Sequence, residues 1–182
     1  METSQSGLSV HQLEELWKEH DAAAPGTVFY DVPSIRQMPP WDQICFMLNW
    51  EFHLPDGDYF SAKHHGFCGV YRLIALASEG DAKPATLNRV GGQDASGTLY
   101  IGESSNLSQR LNRLLRSGWG GRNEDSHGAI GMLKQIAVLD YFPRKLGITL
   151  LFTVRDTRGV ERDLIKAYMN SFGDTPPLNY RL

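Results

Sequence analysis

The stretch Gly97-Thr-Leu-Tyr-Ile-Gly102-Glu-Ser-Ser-Asn106-Leu-Ser-Gln-Arg110-Leu-Asn-Arg-Leu-Leu-Arg-Ser-Gly118 carries a strand signal and a helix signal back to back. Leu99 to Ile101 is short and β-prone, and Gly102 predicts a turn, because a residue without Cβ reaches backbone angles that others avoid. A helix follows, with Asn106 or Ser105 placed to accept from its first unpaired amides. Leu107, Leu111, Leu114 and Leu115 recur at the 3.6-residue period and define its buried face. On that wheel Arg110 borders the apolar stripe, whereas Arg113 and Arg116 lie nearly opposite. Arg110 is thereby the arginine held against the sheet, and Gly118 is the stop signal.

The remaining elements are read outward from this unit. Gly66 to Ala77 is the strongest strand signal, with Val70, Arg72, Ile74 and Leu76 on one face and Tyr71, Leu73 and Ala75 on the other. It pairs antiparallel with the strand at Leu99 to Ile101 across a long Gly/Asp/Ala-rich loop, Ser78 to Gly97. That loop reads as a surface elaboration and a candidate substrate contact. A Gly-rich loop at 119–128, a helix at Ala129 to Leu139, a strand at Leu146 to Val154 and a helix at Arg158 to Phe172 complete the last two-thirds. Before them come an amphipathic helix at Ser9 to Ala24, a strand at Thr27 to Val32, and an apolar run at Trp41 to Trp50 whose periodicity fits either a helix or a buried strand. The expected class is α+β: a small three-stranded antiparallel sheet flanked by helices, with residues 1–65 as an acidic N-terminal α/β extension and 66–182 as the main domain.

The 182 residues suffice for one well-packed domain with an elaboration. No run of about twenty apolar residues occurs, and the polar start lacks a secretion-signal layout, which predicts a cytoplasmic protein. Cys45 and Cys68 suggest neither a disulfide framework nor zinc, and read as small buried apolar residues. Charge is unevenly distributed. Three basic residues stand against ten acids before Gly69, and fifteen against eleven from there on, so the later part is the one suited to a polyanion.

Glu161 is anomalous, because it falls in the middle of the stripe formed by Leu164, Ile165, Tyr168 and Phe172. A carboxylate directed at the core is costly unless paired or bound to a cation. It is not part of a capping box either, since Arg158 stands where Ser or Thr is needed.

Gly69-Val70-Tyr71, Tyr100-Ile101-Gly102, Asn106-Leu107-x-x-Arg110, Glu161 with Leu164-Ile165, and Pro177-Leu178-Asn179 occur in that order on the expected elements. Taken together, this resembles the GIY-YIG endonuclease domain over roughly the last two-thirds of the chain. The resemblance implies hydrolysis of DNA, with RNA also open, by one bound Mg2+ or Mn2+ per site. It implies that Glu161 holds the metal, that Tyr71 contacts the nucleophilic water or acts as its base, that Arg110 binds phosphate, and that Tyr100 and Asn179 shape the site. It further suggests His127 as an alternative base beside the phosphate. An unperturbed phenol, with a pKa of about 10, is a poor base at neutral pH. Tyr71 therefore needs a neighbouring cation, the metal or Arg72, to lower it, or else only orients the water. Arg113, Arg116, Arg122, Arg144 and Lys145 are candidates for a phosphate-tracking surface.

Two features depart from the commonest family pattern: the long 78–97 loop, and Glu103, which reads either as an acid that weakens phosphate attraction near the site or, the favoured reading, as a solvated acid of no consequence. The size fits a standalone restriction- or defence-type nuclease, and a homodimer suits an enzyme with one cutting site per chain. The competing expectation is a nucleic-acid-binding module that keeps the fold without turnover.

Overall fold

A computed structural model describes residues 39–48, 50–54, 67–118, 129, 145–153 and 156–179. Nine elements follow in chain order: α1 (Trp41–Met47), β1 (Glu51–His53), β2 (Gly69–Ala75), β3 (Leu87–Arg89), β4 (Gly92–Asp94), β5 (Thr98–Ser104), α2 (Leu107–Gly118), β6 (Leu146–Phe152) and α3 (Thr157–Phe172). The expected helix and strand at Ser9 to Ala24 and Thr27 to Val32, and all of the 129–139 helix beyond Ala129, lie outside the described residues.

Four antiparallel strands in the order β1-β6-β2-β5 make the main sheet. The expected three strands are β6, β2 and β5, and the fourth, β1, corrects that expectation. Its three residues are too short to display an alternating pattern, and only His53 is fully buried. β2 and β6 are buried at every position, because helices cover both faces of the sheet. On one face Tyr71, Leu73 and Ala75 of β2 and Ile148 and Leu150 of β6 pack under Leu107, Leu111 and Leu114 of α2. On the other, Val70, Ile101 and Leu151 pack under Val160, Leu164, Ile165 and Tyr168 of α3 and under Trp41, Ile44 and Leu48. The alternation read along β2 is therefore the one that folds. Trp41 to Met47 resolves the open assignment in favour of a helix, and through α1 and β1 the residues before 66 share both the sheet and a core with those after it.

The 78–97 loop contains a hairpin of its own, β3 paired with β4. It docks on the C-terminal end of α3: Gly91 N donates to Phe172 O at 2.7 Å, and Arg89 Nη2 reaches Asp174 Oδ2 at 2.9 Å. Glu161 is separated from Phe172 by eleven residues, about 16 Å along the helix, so the hairpin braces the end away from the candidate site.

Behind the sheet, the loop after β4 sets up a buried polar network. Asp94 accepts from the Ser96 and Thr98 amides at 2.8 and 3.0 Å and from the Tyr168 hydroxyl at 3.0 Å. Ser96 Oγ in turn accepts from Trp41 Nε1 at 2.9 Å. Arg72, also buried, donates to Thr149 Oγ1, Thr98 Oγ1 and Cys45 Sγ, with its guanidinium carbon 4.2 Å from the Trp50 ring centroid. A buried guanidinium is tolerable when its donors are matched in this way. Cys45 and Cys68 are only partly buried, and each has a polar contact, Cys68 Sγ donating to Thr153 O at 2.8 Å.

Candidate functional site

β5 is an edge strand, and an edge strand leaves alternate backbone groups without a sheet partner. In this chain they are met by side chains and backbone from the C-terminal third. Leu178 N donates to Leu99 O at 2.9 Å. Asn179 is bidentate on Ile101, its Oδ1 accepting from the Ile101 amide at 2.8 Å and its Nδ2 donating to the Ile101 carbonyl at 2.7 Å. The Glu103 amide, next along the same edge, faces the Glu161 carboxylate and favours its charged form. Asn179 and Glu161 thus both face the outer edge of β5.

Around that edge, on the α2 face, stand the two phenols and the arginine. Tyr71 pairs across the strands with Gly102, and Gly102 lies within β5, where the sequence suggested a turn. The correction has a steric reason. A Cβ at 102 would come within 2.7 Å of the Tyr71 hydroxyl and 2.5 Å of a Tyr100 ring carbon, so glycine is required here to make room for the rings. Their centroids are 5.9 Å apart. The turn comes after Ser104, whose hydroxyl accepts from Asn106 N at 3.0 Å. Asn106 Oδ1 then caps α2 by accepting from Gln109 N at 3.1 Å.

One turn into α2, Arg110 donates from Nε to the Tyr71 hydroxyl at 3.0 Å. Because a guanidinium only donates, the Tyr71 proton is directed elsewhere, and Tyr100 stands beside both groups. Burial pushes the Tyr71 phenol well above its ordinary pKa, with the neighbouring Tyr100 adding to it and Arg110 opposing. Tyr100 is also raised, chiefly by burial. Arg72 plays no part in this, because it points to the opposite face of the sheet. The expectation that it lowers the Tyr71 pKa is corrected by the strand's own alternation.

Glu161 is half-buried, and its carboxyl is pushed up to about 7 by burial first and by the charge of Glu103 second. The Glu103 amide, Arg110 and Arg158 pull the other way. Glu103 is consequently no solvated acid. It shares the α3 side of β5, accepts from Thr157 Oγ1 at 2.6 Å, and lies 3.7 Å from Arg158 Nε. The sequence carried no signal for the proximity of Glu103 to the N-terminus of α3. That terminus is fixed by Asp156, which sits in the left-handed region (φ 52°) and accepts from Gly159 N at 3.0 Å.

The structure therefore brings Tyr71, Tyr100, Arg110, Glu161 and Asn179 to one end of the sheet edge and adds Glu103. His127, Arg122 and Arg144, and the side chain of Arg116, lie outside the described residues. Arg113 is exposed on α2, and Lys145 precedes β6, where its carbonyl accepts from Leu76 N at the far end of β2 from the site. Among the described residues no three His, Cys, Asp or Glu side chains gather as a metal cage, and no helix is long and apolar enough to cross a membrane. The chain was compared with protein-family models, curated proteins and solved structures, and matches none.

Proposed function

We propose that the chain is a divalent-metal-dependent endonuclease acting on DNA, of the GIY-YIG kind, with its site at the β5 edge. The observation that carries this reading is the contact between Arg110 and Tyr71 beside a half-buried Glu161 that forms no ion pair among the described residues. A carboxylate kept in that position, with a second acid pressing on it, favours a dication as its natural complement. Carboxylate oxygens suit Mg2+ or Mn2+, with waters and substrate oxygens completing the shell. Glu161 would hold the ion and Glu103 would add to the negative field. When bound, such an ion would supply a water of lowered pKa and neutralise charge on the scissile phosphate.

The chain's own groups do the rest. Arg110, always charged and planar, complements the phosphate oxygens. Tyr71 is fully buried with a raised pKa, so it stays protonated and acts as a positioning residue that locks the guanidinium by accepting from Nε. The more open Tyr100 is the phenol presented to substrate. Asn179, committed to Ile101, holds the strand that carries Tyr100 and Glu103.

The test is conversion of supercoiled plasmid in Mg2+, in Mn2+ and in chelator, for the parent, Arg110→Ala and Glu161→Ala. Metal-dependent nicking or linearisation by the parent, lost in both variants, is expected. A parent that binds plasmid with and without metal and never cuts it would instead favour a binding module.

A further inference from the structure

α3 presents four exposed positions to solvent: Arg158, Arg162, Lys166 and Asn170. They follow one another at four-residue steps, so they form a single row along the helix. The first three are cations, and no exposed position of the helix is acidic. In a chain of net charge −3, three turns of helix showing only positive charge is not the mixed-sign surface that solubility alone favours.

The acids nearby offset the row only in part. Asp156 caps the helix, Glu103 accepts from Thr157, and Asp163 is buried. Arg158 Nε lies 3.7 Å from Glu103 and Arg162 Nε lies 3.6 Å from Asp163, ion pairs too long to be hydrogen bonds. The two arginine side chains are 89% and 63% exposed. Lys166 forms no ion pair among the described residues.

We propose that Arg158, Arg162 and Lys166 form a rail for the backbone of the nucleic-acid strand that passes through the site. The identity of the polymer rests on the nuclease reading above, while the row itself is independent of it. The rail starts within one helical turn of Glu161 and runs about 12 Å along the axis. Cations one helical turn apart over that length stand close enough together to meet successive phosphates of one strand. Cations at this spacing contact phosphates rather than base edges, so the rail sets register and affinity without reading sequence. A membrane surface is a poorer occupant, because no apolar side chain accompanies the cations at the exposed positions of α3.

The test uses the full chain with a 30-base-pair duplex in EDTA, so that turnover plays no part. Dissociation constants are measured between 50 and 200 mM salt for the parent, for the triple variant Arg158→Gln, Arg162→Gln, Lys166→Gln, and for Lys83→Gln, an exposed cation in the loop after β2. Thermal melting checks that each variant is folded. The triple variant is expected to lower the log–log salt slope by about 3 and weaken binding at least tenfold at 100 mM salt, while Lys83→Gln leaves both unchanged. A triple variant with the parent's slope overturns the rail, even if the parent cuts plasmid. A parent that ignores the duplex but binds vesicles containing phosphatidylserine, or a peptide of residues 1–38, overturns it as well. A parent that never cuts but loses duplex binding on triple substitution upholds the rail and removes the nuclease reading.

Discussion

Replacing Glu161 by glutamine is expected to stabilise the metal-free protein at pH 8 while abolishing metal-dependent cleavage. The carboxyl sits near 7 in the folded chain, against 4.5 ordinarily. A group whose pKa is raised by folding favours the folded state at low pH, and that contribution drains away as pH climbs from about 4.5 through about 7. At about 1.36 kcal/mol per pH unit the unscreened penalty approaches 3.4 kcal/mol. Part of the carboxylate still meets water, which cuts this to about 1–2 kcal/mol. Glutamine keeps an oxygen for the Glu103 amide and removes the charge. In EDTA, urea unfolding followed by tryptophan fluorescence between pH 4.5 and 8 compares the two proteins, and their difference cancels every other titrating group. The curves should meet near pH 4.5 and diverge until the variant leads by about 1–2 kcal/mol above pH 7. A variant no more stable than the parent at pH 8 would refute the view that this carboxylate is held at a cost that a cation relieves.

Three further outcomes follow from contacts already described. Asn179→Ala strands a buried amide and carbonyl of Ile101, and should cost about 2–4 kcal/mol in chemical denaturation, at one to two for each group left unpaired. Gly102→Ala places a methyl against both phenols. It should lower cleavage by at least tenfold and stability by about 1–3 kcal/mol, with the displaced Tyr71 and Tyr100 rings visible as shifted aromatic NMR signals. Arg110→Lys retains the charge but loses the planar fork and the Nε contact to Tyr71. It should weaken cleavage nearly as much as Arg110→Ala, and a lysine variant close to parental activity would remove the argument from guanidinium geometry.

What the sequence made legible was whatever repeats. The 3.6-residue recurrence of leucines placed Arg110 against the sheet, and the wheel of the last helix put Glu161 in the middle of its apolar stripe, where the structure leaves it half-buried. Period-two alternation put Tyr71 and Arg72 on opposite faces of β2. What it hid was contact between residues that share no period. β1 is too short to alternate. Half of the β3–β4 strand positions are exposed and only Asp94 is buried, so the hairpin carries no apolar rhythm. Glu103 became part of the site only because α3 begins beside it, held by an aspartate cap that no Ser/Thr signal announces. Gly102 resembles a turn glycine for a related reason. A glycine demanded by a neighbour across the sheet looks, in one dimension, like a glycine demanded by a bend.

The guarded edge of β5 has one more consequence. An unprotected strand edge is a template on which a second molecule can add a strand and begin to aggregate. Here the Ile101 position is sealed by Asn179, while the Glu103 amide faces the Glu161 carboxylate, the group proposed above to hold a cation. An ion that drew Glu161 outward would leave that amide more open. Its hydrogen–deuterium exchange should therefore quicken on adding Mg2+, while that of Ile101 stays slow, making a single backbone proton a gauge of site occupancy.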